Sequence, residues 1–158
     1  MPLVFRSMFA DGTGLVPRLA NDAESLGVRA SDEIGGAKDV TVTEGMVSPG
    51  REGMSVSPSI LHLPPHRVPK RFDGRIPEQG DSGVPSGKNK LICWTMGRGS
   101  FEDGPFAPGL VFLTQPEGSS EHGVLSPAGE APLSEYRVAL ARTQPDWKAV
   151  PWPWEDIL

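Results

Sequence analysis

Short apolar runs broken by turn residues dominate the chain. Residues 3–8 are extended and apolar around a central Arg6, and the Asp11-Gly12 pair that follows is a turn signal, so a first strand is predicted there. The segment 21–26 reads as a helix of about two turns, with Asn21 as its cap and Gly27 as its stop. Val and Thr alternate over 39–43 in the manner of a half-buried strand, and 53–58 reads as a brief strand stopped by Pro58. Strands are predicted again over 90–96, 110–114 and 122–125, with a turn-rich joint over 97–109. The one convincing helix comes last. Pro132 suits its first turn, Glu135 lies near the positive end of its dipole, and Tyr136, Ala139, Leu140 and Thr143 recur at helical spacing until Pro145 ends it.

Two stretches have no such pattern. Residues 62–89 are dense in Pro, Gly and charge, which predicts a long loop, ordered in its first part and mobile in its later part. The tail over 147–154 interleaves three tryptophans with two prolines, so it is irregular yet too apolar to lie free in water; it is expected to pack on the sheet or on a partner.

Composition narrows the class. A chain of 158 residues with 37% hydrophobic content supports one modest core, hence a single domain over 1–158. The 17 Pro and 19 Gly favour short strands and fixed turns over long helices, so strands followed by one helix give an α+β class. Cys93 is the single cysteine and sits in an apolar run, which suits a buried thiol in a reducing, cytoplasmic setting. Met1 to Arg6 lacks a signal-peptide pattern, and no run reaches membrane-spanning length, so no membrane partner is expected. The net charge of −5 argues against nucleic acid as a partner, and Arg67, Lys70 and Arg71 read as a solvated loop cluster. There is no phosphate-binding lysine loop, nucleophile elbow or zinc spacing, and His62, His66 and His122 lack a carboxylate at ligand spacing; no metal is expected.

The remaining motifs are spread along the chain. They are Leu3-Val4-Phe5-Arg6, Leu26-Gly27-Val28-Arg29, Gly45-Met46-Val47-Ser48-Pro49-Gly50, Gly53-Met54-Ser55-Val56-Ser57-Pro58, Leu63-Pro64-Pro65-His66-Arg67, His122-Gly123-Val124-Leu125-Ser126-Pro127-Ala128, and the segment 134–140 with Trp147. In order and spacing they resemble the cytotoxic type VI secretion effector family assigned to the ADP-ribosyltransferase fold, a Pseudomonas toxin family with actinobacterial and fungal relatives. The resemblance spans nearly the whole chain. It implies an ADP-ribosyltransferase-like split β-sheet core with a few short helices and a C-terminal helix. It further implies a cleft that takes NAD as substrate, an unknown macromolecular target, and toxicity restrained by a cognate immunity protein. Arg6 then resembles the first-strand arginine that holds the cofactor, Ser55 the central-strand serine on the nicotinamide ribose, and Glu121 the acid that stabilises the ribosyl transition state.

The chemistry of these residues is compatible with such roles. A guanidinium inside an apolar strand needs a partner, and a diphosphate satisfies its planar donors. Ser55 and Ser57 lie two apart on a short strand, so their hydroxyls share a face that can meet a ribose edge. Glycosidic cleavage of NAD passes through an oxocarbenium-like state that a carboxylate such as Glu121 stabilises. His122 heads a strand and can hold a substrate group, while Pro64 and Pro65 present His66 and Arg67 at low entropy cost. On spacing alone each residue also fits an ordinary structural role. Two other functions stay open: a catalytically silent binding module of the same fold, and a nuclease toxin with His66 or His122 as general base.

Overall fold

The computed structural model describes residues 1–33, 38–74 and 84–151. In chain order its strands are β1 (Val4–Met8), β2 (Met46–Val47), β3 (Met54–Val56), β4 (Ile92–Met96), β5 (Gly104–Ala107), β6 (Leu110–Thr114), β7 (Gly123–Pro127), β8 (Ala131–Pro132) and β9 (Lys148–Ala149), with one α-helix, α1 (Leu133–Arg142). They form a mixed α+β structure of three antiparallel sheets, ordered β1-β4-β9, β2-β8 and β3-β7-β6-β5.

Strand β1 is buried throughout, and its period-2 alternation divides it between two apolar cores. Val4 and Met8 join the main core with Trp94, Met54, Val56, Leu125 and Leu140, whereas Phe5 joins a satellite core with Ile60, Leu63, Val68, Phe72 and Cys93. Arg6 pairs in register with Trp94, so its charged side chain lies on the main-core side. The two larger sheets meet at a single antiparallel bridge, where Phe5 and Ser57 exchange backbone hydrogen bonds of 2.8 and 2.9 Å. Beyond that bridge β1 and β3 make no ladder, and a gap opens between Arg6-Ser7 and Ser55.

Several expectations are corrected. Residues 21–26 form a turn rather than a helix: the Asp22 carboxylate accepts from the Glu24 amide at 2.9 Å, and the carbonyls of Ala23 and Ser25 are taken by Arg6. Residues 39–43 give isolated bridges, Ala30 with Val40 and Thr43 with Met46, because the Val42 amide donates to the Ser31 hydroxyl instead of to a neighbouring strand. The joint over 97–109 contains β5, whose Pro105 is tolerated because β5 is an edge strand. Pro132 belongs to β8 and caps α1 from outside.

The long loop is ordered at its start by three single 3-10 turns, Ile60–His62, Pro65–Arg67 and Lys70–Phe72, pinned through Leu63, Val68 and Phe72. Residues 75–83, within the part expected to be mobile, lie outside the described residues. Trp147 does pack back: it is buried and donates to the Thr143 hydroxyl at 2.9 Å, and the next two residues add β9 to β4. Trp152 and Trp154 lie outside the described residues. No described helix is long and apolar enough to cross a membrane.

Helix α1 is tied to the β3 sheet through Tyr136. Its buried hydroxyl donates to the Leu125 carbonyl at 2.5 Å and accepts from the Met54 amide at 3.3 Å. Gly53 makes this approach possible: at its φ of 152° a Cβ would stand 2.2 Å from the Leu125 oxygen. Tyr136→Phe is expected to lower stability by about 1–3 kcal/mol, because a buried carbonyl and amide lose their partner. Urea unfolding of the two proteins measures the difference.

Candidate functional site

Where β1 and β3 part, the gap widens into a cavity of about 180 Å³. Its floor and flanks come from Arg6 and Ser7 of β1, Ser55 of β3 and Ser57 at the bridge, with His122 at the entry to β7. Leu63, Pro64, His66 and Arg67 of the ordered loop form one wall, and Ala23, Arg29 and Asp39 form another. Arg6, Ser55, Ser57, His66, Arg67 and His122, all singled out in the sequence, thus face one cleft. Glu121 does not line it and is exposed, although its neighbour His122 does.

Arg6 sets the geometry. Its Nε and NH2 donate to the Ser25 carbonyl at 3.3 and 3.0 Å, NH2 also donates to Ala23 at 3.2 Å, and NH1 donates to the Ser55 carbonyl at 2.9 Å. Four of the five guanidinium N–H groups are thereby used, which leaves one on NH1. Arg6 neither pairs with a carboxylate nor points into solvent; backbone carbonyls hold it at 7% exposure. Burial lowers its pKa to about 10, with nearby Asp39 opposing and Arg67 reinforcing the shift, so the guanidinium is still charged at neutral pH.

The cleft mixes apolar and polar lining and carries excess positive charge. Three guanidiniums and two imidazoles face one carboxylate, Asp39, among the described lining residues. That carboxylate is already committed: it accepts from Arg29 Nε at 3.1 Å, NH2 at 2.9 Å and the Arg29 amide at 2.8 Å. Arg67 leans on Glu24 at 3.5 Å. The Ser7 hydroxyl is buried with no hydrogen-bond partner among the described residues, a donor and acceptor at the cleft that the protein itself does not use. Ser57 donates to the His62 carbonyl at 3.4 Å. No group of three or more potential metal ligands occurs among the described residues.

Chemically, such a cleft can bind an anion with attached hydroxyls. Cations supply the attraction and the serines supply hydrogen bonds, although the chain as a whole carries a net charge of −5. Sequence reasoning missed Ser7, Asp39 and Glu24. Ser7 and Asp39 carried only strand signals, and the Glu24 interaction reaches across 43 positions to Arg67 and 64 to Lys88, which no local pattern records. No family model, curated protein or solved structure matches the chain.

Two measurements check this geometry. Arg6→Ala leaves the Ala23, Ser25 and Ser55 carbonyls without their donor, so a loss of about 3 kcal/mol or more is expected in chemical unfolding. Arg6→Lys should restore little of it, since an ammonium lacks the planar fork. Burial also holds the His122 imidazole below its ordinary pKa, against a smaller opposing effect of its backbone bond with Gln115. The folded value is the lower one, so the unfolded chain takes up the proton first as pH falls below about 6.5. Stability present above that pH is lost through the folded value, and the fall in melting temperature between about pH 7.5 and 5.5 should be smaller in His122→Gln than in the wild type.

Proposed function

We propose that the chain is an intracellular toxin of ADP-ribosyltransferase-like fold whose cleft binds NAD, consuming it or transferring its ADP-ribose to a target, with a cognate immunity protein as its restraint. The observation that carries this reading is a convergence. Arg6 and Ser55, singled out by the family resemblance, and Ser57, His66, Arg67 and His122, singled out by their chemistry, line one cavity at the point where two antiparallel sheets separate. In this reading Arg67 and the remaining N–H of Arg6 meet the diphosphate, and Ser55 and Ser57 meet the adjoining ribose. His66, from the long loop, and His122, just before β7, supply further hydrogen bonds. A cavity of about 180 Å³ is smaller than the roughly 300–1,000 Å³ of sites that enclose whole small molecules. It therefore takes the ribosyl-phosphate portion, and the rest of the dinucleotide extends through the mouth.

One observation favours a second reading, the catalytically silent binding module. Glu121 stands outside the cleft and Asp39 is bound to Arg29, so no described lining carboxylate is free to stabilise an oxocarbenium-like state. Release of nicotinamide from NAD by the purified protein supports the enzyme, and binding without release supports the module. Titration calorimetry with NAD and ADP-ribose is expected to show binding that Ser55→Ala and Arg67→Ala each weaken about tenfold, or 1.4 kcal/mol, at unchanged melting temperature. Absence of any binding in the folded wild type refutes the NAD reading and leaves a module that acts by occupying a partner. Ser55→Ala and Arg67→Ala are the informative variants, because Arg6→Ala also removes a structural clamp.

A further inference from the structure

We infer that Glu24 sets the affinity of the cleft for phosphate-bearing ligands by competing with them for the guanidinium of Arg67. The inference rests on the reading of the cleft as an anion site. Residues 23–25 serve both cleft arginines in different ways: the Ala23 and Ser25 carbonyls hold Arg6, and the Glu24 side chain between them holds Arg67. These two attachments differ in strength. Arg6 is fixed by four hydrogen bonds, and Arg29 is bound by both oxygens of Asp39 at 2.9 and 3.1 Å. Arg67 meets Glu24 through one long contact of 3.5 Å, well beyond the 2.7–2.9 Å typical of a charge-assisted hydrogen bond. Of the three guanidiniums it is the one whose side chain can turn to a ligand at small cost.

The Glu24 carboxylate is itself poorly matched. Its Oε1 is shared between Arg67 and Lys88, the latter at 3.1 Å, and its Oε2 is buried with no hydrogen-bond partner among the described residues. When Arg67 turns away, Lys88 stays with Oε1, so the carboxylate keeps a counter-charge. The backbone need not move, because Arg67 sits in a 3-10 turn that begins at Pro65, follows Pro64 and is closed by the Arg67 amide on the Pro64 carbonyl at 2.8 Å. Glu24 is thus a positioning residue, and the ligand affinity is reduced by the fraction of molecules in which Arg67 is engaged with it.

The test uses inorganic pyrophosphate as the probe, in titration calorimetry on the whole chain at low salt. Glu24→Gln removes the competing charge and is expected to tighten binding about fivefold. Glu24→Asp keeps the charge but withdraws it from Arg67, and it should tighten binding as well. Arg67→Ala should weaken binding, and Glu24→Gln should add nothing in that background. If Glu24→Gln tightens binding while Glu24→Asp matches wild type, only long-range repulsion is at work and the competition is overturned. If both Glu24 variants bind like wild type or more weakly while Arg67→Ala still weakens binding, Glu24 is structural and the anion cleft survives without the competition. If neither wild type nor any folded variant binds pyrophosphate, the cleft reading falls together with the inference. Melting curves of each variant identify unfolded protein, and Glu24→Asp carries the test should Glu24→Gln fail to fold.

Discussion

The guanidinium of Arg6 donates to the carbonyls of Ala23, Ser25 and Ser55, and through them it joins three segments that share no ladder. Past the Phe5–Ser57 bridge, β1 and β3 diverge, and their facing backbone groups would otherwise lack partners. The Arg6 side chain substitutes for the missing ladder across the gap. Burial of the charge is unfavourable and lowers its pKa, nearby Asp39 opposes the shift, and at about 10 the guanidinium is still protonated at neutral pH. The same bonds hold the 23–25 turn against β1, with its Ala23 and Ser25 carbonyls directed at Arg6.

The cleft follows from this arrangement. One wall is carried by the satellite core, in which Leu63, Val68 and Phe72 anchor an otherwise aperiodic loop on Phe5 and Cys93. That anchoring brings His66 and Arg67 opposite residues of the first thirty, and it gives a loop rich in proline a fixed position. Electrostatically the cleft opposes the molecule that contains it: an acidic chain keeps three guanidiniums around one cavity. Two of these are locked by backbone or carboxylate partners, and one is held loosely. In the proposed reading, the two locked guanidiniums define the shape of the site and the loosely held Arg67 answers the ligand.

Much of the fold was legible because it depends on local pattern. Apolar runs in β1, β4, β6 and β7 and the helical spacing of Tyr136, Ala139 and Leu140 are properties of neighbouring residues, and these five elements formed close to their expected places. The failures came where a side chain competes with the backbone. Asp22 and Arg6 redirect residues 21–26, Ser31 takes the Val42 amide, and Pro105 hides an edge strand from a reading that treats proline as a breaker. Strand β9 was hidden for a different reason: two exposed residues carry no signal, and only the open edge of β4 makes them a strand.

By itself the sequence determined which segments are apolar and extended and where helical spacing sets in near the C-terminal end. Those are short-range properties, written in composition and spacing. Tertiary structure alone decided that Arg6 and the Ser55 carbonyl, 49 positions apart, would meet, that Glu121 would stay outside the cleft, and that Glu24 would reach Arg67. Contacts of this kind depend on how two sheets diverge and on where a loop is pinned, and a one-dimensional pattern holds no measure of either.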